Sequence, residues 1–221
     1  MEFRNRAQAG RLLANVLLEH GDFADALVLA LPRGGVPVAF EVAKRLELPL
    51  DVYVVRKLGV PGREEYAFGA IAGGGITVIN DDVVQWLQLD KSAIEEVVRA
   101  ERAELERRER TYRSGRPAHD VRGRKVLVVD DGLATGSTML AAVRGLKRQG
   151  AAAVIATAPV VSPDALETLR PEVDQVLCVQ CPDSFMAVGT WYSDFSQTTD
   201  EEVGHLLAEA HRFARQKRSS R

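Results

Sequence analysis

This sequence holds little that points to disulfides, metal cages, membranes or nucleic acid. Only two cysteines occur in 221 residues, Cys178 and Cys181. A lone C-x-x-C in a chain with four histidines is a weak metal or redox signal. Cys178 is therefore expected to pack in a strand, with Cys181 just beyond it. No apolar run approaches membrane-spanning length, so no membrane partner is expected. The opening MEFRNR is polar and unlike a secretory leader, which makes a cytoplasmic location the expectation. Charge of one sign is also missing. With 29 Lys and Arg against 31 Asp and Glu, the net charge of −2 gives no reason for tight binding to nucleic acid. Aromatic residues make up only 6% of the chain, so a cluster of them near residue 190 stands out. Apolar residues are plentiful: hydrophobic side chains form 46% of the sequence, enough for a substantial core. The length suits one α/β domain over residues 1–221 with a small insertion.

The stretch KVLVVDDGLATGST, residues 125–138, is the organising element. Residues 125–129 form a short apolar run with β-branched side chains, bounded by charge, and read as a strand buried on both faces of a parallel sheet. Gly132 to Thr138 then supply two glycines, three hydroxyls and a run of backbone N–H groups. They lead into helical periodicity over 139–148, despite Gly145. A loop entering a helix N-terminus presents unpaired N–H groups and the positive end of the dipole, which suits a phosphate. Asp130 and Asp131 cannot serve that phosphate. They suit hydroxyl groups, or a metal that bridges them to it.

VVDDGLATGST resembles the phosphoribosyl-pyrophosphate motif of the type I phosphoribosyltransferases: a β-branched run, two acids, then a threonine- and glycine-rich loop. The resemblance implies that Asp130 and Asp131 hold the ribose 2′- and 3′-hydroxyls, with Mg²⁺ beside them. It also implies that Ala134, Thr135, Gly136, Ser137 and Thr138 wrap the 5′-phosphate. The expected fold is α/β: a parallel sheet of five or so strands flanked by helices, with an inserted α+β subdomain and a small hood.

Upstream, a first helix is expected over residues 6–20, ended by Gly21, with Leu12, Leu13, Val16 and Leu17 as its apolar side. A strand over 27–31 then meets Pro32-Arg-Gly-Gly-Val-Pro37, and a helix follows over 38–46. Gly34 and Gly35 let the backbone come close to an anion beside Arg33. The resemblance makes Arg33, Gly34 and Gly35 the pyrophosphate loop, which in the family often carries a cis peptide. Leu31–Pro32 is the cheapest bond for it, because it precedes proline. A strand over 51–55 should deliver Arg56 and Lys57 to the same sheet edge, either as a solvated basic pair or as pyrophosphate contacts.

From 58 to 124 the β–α rhythm stops, and residues 59–118 read as an inserted α+β subdomain. Residues 59–66 read as a loop, and 67–72 and 76–79 as short strands. Asp81 and Asp82 are placed to cap a short helix through Leu87. Ser92, with Glu95 completing a capping box, is placed to cap a long one. That helix carries a narrow apolar stripe at Ile94, Val97, Val98 and Leu105, and interspersed acids and bases that suit a solvated face. The family has a mobile loop here that closes over the reaction. Such a lid excludes water, and Arg113 or Arg116 at its exit are candidates to reach the pyrophosphate.

Beyond the motif, a strand is expected over 152–157, a helix over 162–169 and a strand over 173–179. The aromatic cluster lies in CPDSFMAVGTWYSDF, residues 181–195. It reads as core, as dimer interface, or as a flat wall on which a heterocycle stacks. It resembles the base-binding segment of the 6-oxopurine phosphoribosyltransferases, which implies that Phe185 stacks on the base beside Val188. Trp191 or Tyr192 is the substitute ring. A last helix is expected from 200 to about 213, with a frayed, solvated basic end at 212–221. The implied function is Mg²⁺-dependent transfer of the phosphoribosyl group from phosphoribosyl pyrophosphate to a nucleobase, with a purine favoured and a homodimer as the working form. In the 6-oxopurine enzymes the position of Ala134 usually carries an aspartate, and its replacement leaves adenine-like, pyrimidine or unusual acceptors open. The alternative is a regulator that keeps the nucleotide site but binds RNA or DNA.

Overall fold

In a computed structural model, which describes residues 1–219, five parallel strands form the central sheet. They are β1 (Leu27–Ala30), β2 (Leu50–Val52), β6 (Lys125–Val129), β7 (Ala153–Val160) and β8 (Gln175–Gln180), in the order β2-β1-β6-β7-β8. Alternate side chains face opposite sides, and both sides are dry. Val28, Ala30, Leu127 and Val129 point into one core with α1 (Arg6–His20), α2 (Gly35–Leu46) and α7 (Asp200–Ser219). Leu27, Leu29, Val126 and Val128 point into the other, with α5 (Ser137–Arg148) and α6 (Pro163–Leu169). This is why residues 125–129 read as a continuous apolar run. Cys178 sits half-buried in β8 and Cys181 is exposed just past it, as expected.

The inserted unit is a second, antiparallel sheet, β3 (Val55–Val60), β4 (Arg63–Ala72) and β5 (Ile76–Ile79), followed by α3 (Asp81–Trp86) and α4 (Lys91–Arg113). Several expectations are corrected here. Residues 51–55 are not one strand: β2 stops at Val52 and Val55 already belongs to the new sheet, ahead of the expected boundary at 59. Residues 59–66 are not a loop but the ends of two strands joined at Pro61-Gly62, where Gly62 takes a positive φ. Register shifts at Leu58/Gly59 and Gly59/Val60 interrupt the alternation and hide the hairpin from a periodicity reading. Asn80 caps α3, leaving Asp81 and Asp82 in its first turn, where they suit the helix dipole. Asp90 caps α4 through the Ser92 N–H, so Ser92 lies inside the helix.

The apolar stripe of α4 finds its partner: Leu105 is fully buried, and Ile94, Val97 and Val98 pack on the same core as Leu58, Phe68 and Ile71. The inserted sheet also packs on α5. There a Cβ on Gly145 would lie 2.5 Å from the Tyr53 hydroxyl and 2.9 Å from Ala72 Cβ, so only glycine admits the contact. Helix α7 runs to Ser219, past the expected end near 213. The expectation of a frayed end at 212–221 falls partly on residues outside those described. Among the described residues no helix is long and apolar enough to cross a membrane.

Arg113 does not face the crevice. Its Nε donates to both Asp51 oxygens at 3.0 and 3.1 Å, its Nη2 donates to the Val52 carbonyl at 2.9 Å, and both side chains are buried. Arg116 donates to the Arg113 carbonyl. The exit of the inserted segment is thus tied to an edge strand of the main sheet. Replacing Arg113 with methionine strands the Asp51 charge, and a stability loss of about 3–5 kcal/mol is expected. Urea denaturation of the variant against wild type measures it.

Candidate active site

Parallel strands deliver their following loops to one edge, so the loops after neighbouring β1 and β6 lie side by side. The Leu31 N–H donates to the Val129 carbonyl at 2.9 Å and locks them together. The cis bond is Pro32–Arg33, after the proline, and not the expected Leu31–Pro32. A Cβ on Gly34 would lie 2.0 Å from Asp131 Oδ2, and one on Gly35 2.6 Å from the Val129 carbonyl and 3.0 Å from Asp130 Cα. The glycines therefore serve first to let this loop seat against the acidic pair.

Asp130 accepts the Asp131 N–H through Oδ1 at 2.9 Å, and its other oxygen accepts no hydrogen bond among the described residues. Burial, and then the charge of Asp131, push the Asp130 carboxyl well above the usual carboxylate range. Burial pushes Asp131 up as well, against the pull of Arg6. Arg6, at the start of α1, places Nε and Nη2 each 2.8 Å from Asp131 Oδ2. Sequence reading missed Arg6: no local pattern links it to an acid 125 residues away.

Past the acids, Gly136 takes a left-handed φ of 71° and opens α5 with no side-chain cap. Of the N–H groups of that first turn, Ser137 makes a long contact to Thr135 Oγ1 at 3.4 Å, and a helix N-terminus of this kind has the polarity that suits an anion. Thr135 Oγ1 and Ser137 Oγ lie 3.0 Å apart, and Ala134, Thr135 and Ser137 are exposed beside buried Gly136, with Thr138 half-buried. Ser162, the cap of α6, donates to the Ala134 carbonyl and holds the loop from behind.

The other expected residues are divided. Arg33 stands at the mouth, its Nη1 3.8 Å from Asp200, whose carboxylate also accepts the Tyr112 hydroxyl at 3.0 Å. Arg56 turns away from the crevice to Glu101 of α4 at 2.6 Å. Lys57, next in the strand and so on its opposite face, is exposed and lines a cleft of about 560 Å³ with Ser137, Thr138 and Arg144.

The aromatic cluster forms the hood with the N-terminal residues. The Phe3 N–H donates to the Trp191 carbonyl and the Ser193 N–H to the Phe3 carbonyl, each at 2.8 Å. Val188 rests on Gly132, where a Cβ would come within 2.4 Å of its methyl. Phe185 and Trp191 stand together with centroids 6.3 Å apart, and both remain partly exposed. Tyr192 is removed as a stacking candidate. It is buried, stacks on Phe195 at 5.1 Å, and donates to the Asp131 carbonyl at 2.6 Å.

Residues 3–194 match the family model of the phosphoribosyl transferase domain, and the chain belongs to that type I family. A Mycobacterium tuberculosis protein named as a candidate phosphoribosyl transferase, Rv0571c, is 47% identical over 210 residues, covering 95% of this chain and 47% of that protein. The chain thus spans about half the length of the curated relatives it matches along nearly all of its own length. The crystal structure of TT1426 from Thermus thermophilus superposes with a TM-score of 0.84 at 42% identity, covering 95% of this chain and 99% of that one. An adenine phosphoribosyltransferase from Mycobacterium avium matches over 54 residues at 46% identity, 24% of this chain and 30% of that protein.

Gly34→Ala is expected to push the Asp131 carboxylate off its seat and to lower the midpoint of thermal unfolding. The cost is about 1–3 kcal/mol, the range for overpacking. Differential scanning calorimetry measures it.

Proposed function

We propose that the chain is a phosphoribosyltransferase moving the 5-phosphoribosyl group from phosphoribosyl pyrophosphate to a nitrogenous base, with a purine as the favoured acceptor. The observation that carries this reading is the seating of the Gly34-Gly35 loop against two carboxylates that lead straight into an uncapped helix N-terminus. One crevice then offers acceptors for sugar hydroxyls, donors for a terminal phosphate, and a second loop for a leaving anion. The stretch shared with an adenine phosphoribosyltransferase favours a purine.

In this reading a ring nitrogen of the base displaces pyrophosphate from C1 of the ribose. Asp130 and Asp131 orient the sugar through its hydroxyls. Residues 134–138 hold the 5′-phosphate by backbone N–H and hydroxyl groups, and Lys57 adds charge from the cleft beside Ser137. Arg33 and the backbone at 34–35 receive the charge that gathers on the departing pyrophosphate. Phe185 and Trp191 supply the face on which the base stacks, with Val188 beside the ribose loop.

The donors fit Mg²⁺ of the kind held by one or two carboxylates with substrate oxygens and water. Asp130, with an oxygen to spare and a neighbouring negative charge, would be its first ligand, and Asp131 would come second because Arg6 already holds one of its oxygens. When bound, the ion would supply positive charge to the leaving pyrophosphate.

Pyrophosphate release, screened across adenine, the 6-oxopurines and the pyrimidines with Mg²⁺ and phosphoribosyl pyrophosphate, tests the activity. Release with none of them counts against it. Joint replacement of Asp130 and Asp131 by asparagine is expected to abolish turnover and weaken phosphoribosyl-pyrophosphate binding in a folded protein. Arg33→Ala, in the same calorimetric titration, should cost pyrophosphate more than phosphate, by roughly 1.5–3 kcal/mol. Unchanged affinities in both variants would contradict these roles.

The inserted unit, from Val55 through the end of α4 at Arg113, is proposed as a cap. In support, α4 ends beside Tyr112, whose hydroxyl shares Asp200 with Arg33 at the crevice mouth. Adding Mg²⁺ with phosphoribosyl pyrophosphate should slow amide exchange in α4 and across residues 112–116. Protection there by RNA alone would sink the cap and favour the regulator.

A further inference from the structure

Arg6 meets the acidic pair from outside the motif, and every polar end of its guanidinium is engaged. Nε and Nη2 converge on Asp131 Oδ2 at 2.8 Å, and Nη1 donates to the Ser196 carbonyl at 2.6 Å. The guanidinium carbon stands 4.0 Å over the Phe195 ring. The side chains are 12% and 14% exposed, so the pair is screened from water on most sides. A guanidinium fixed by a carboxylate, a carbonyl and a ring has one orientation left, and it hands that orientation to the carboxylate.

The Gly34 backbone closes on the same oxygen. Asp131 Oδ2 occupies the space that a Cβ on Gly34 would need, and Tyr192 fixes the Asp131 carbonyl. Oδ1 is the oxygen that Arg6 leaves untouched. We propose that Arg6 is a positioning residue for ribose recognition, gripping Oδ2 of Asp131 so that Oδ1 is presented to a sugar hydroxyl. The proposal rests on the phosphoribosyltransferase reading of Asp131. Arg6 touches no reacting atom. Its role is exerted through the acid, and it ties that acid to the hood, because Phe195 ends the aromatic segment and Ser196 follows it.

A guanidinium that merely braced the hood would hold Ser196 and Phe195 whatever stood at position 131. A double-mutant cycle separates the two roles. Phosphoribosyl pyrophosphate with Mg²⁺ is titrated calorimetrically into wild type, Arg6→Gln, Arg6→Lys, Asp131→Asn and the double variant Arg6→Gln/Asp131→Asn. Inorganic phosphate serves as the probe of the 134–138 loop alone. Arg6→Gln is expected to weaken phosphoribosyl-pyrophosphate binding about 10–100-fold, in line with loss of a charge-assisted contact, and to leave phosphate binding unchanged. Arg6→Lys should fall between, since it restores the charge without the fork. With asparagine at 131, Arg6→Gln should add less than about twofold.

An equal loss from Arg6→Gln in both backgrounds would show a brace and overturn the proposal. So would a parallel loss of phosphate affinity. If Arg6→Gln does not fold, the cycle of Arg6→Lys with Asp131→Asn reads the same coupling. Wild type that binds phosphoribosyl pyrophosphate while Arg6→Gln binds it equally well overturns only the role of Arg6. Wild type without affinity for phosphoribosyl pyrophosphate overturns the phosphoribosyltransferase reading, and this inference with it.

Discussion

Two like charges at the end of a buried strand are the constraint around which the rest of the site is arranged. Asp130 and Asp131 are adjacent in sequence, lie at the carboxyl end of β6 and are pushed towards neutrality by burial. Such a pair is held only where counter-charge, hydrogen-bond donors and close packing meet it together. The structure supplies all three from separate parts of the chain. Arg6 comes from α1, the Asp131 N–H meets Asp130 while the Tyr192 hydroxyl of the hood fixes the Asp131 carbonyl, and the bare backbone of Gly34 and Gly35 comes from the loop after β1. A pair that still carries unspent acceptor oxygens is suited to sugar hydroxyls or a hard cation.

The inserted unit solves a different problem. Helix α4 is rich in Arg and Glu, and it holds its place through a narrow apolar stripe and a buried ion pair at its last residue, Arg113 with Asp51. That ion pair ties the far end of the insertion to β2, while Gly145 lets the inserted sheet press on α5. The inserted unit is therefore anchored at two points on the main domain, strand β2 and helix α5. Lys57 stands on the strand face that looks to α5 and Ser137, whereas Arg56 is committed to Glu101.

Much of the fold was legible locally. Residues 6–20 carry a helix period and stop at a glycine, and they form that helix. Residues 125–129 are apolar on both faces because the strand is central in the sheet. The Arg56-Lys57 pair shows where local reading stops. Both residues were expected at one sheet edge, yet the chain leaves the sheet after Val52 and alternate faces send them apart. The hairpin at Pro61-Gly62 was obscured for a related reason, since a bulge breaks the period that would have revealed it.

By itself the sequence determined the two glycine-bearing loops, the acidic pair and the family, because each rests on residues contiguous in the chain. A strand end, a glycine turn and a helix start are local events that short-range sterics and hydrogen bonding decide. Only the tertiary structure decided which groups complete those loops. Arg6 reaches Asp131 across 125 positions, Tyr192 reaches the same residue across 61, and Arg113 reaches Asp51 across 62. Contacts of that span depend on the order of strands in the sheet and on the path of the hood over it. Strand order and path are settled by how whole elements pack, and no short window of residues encodes them.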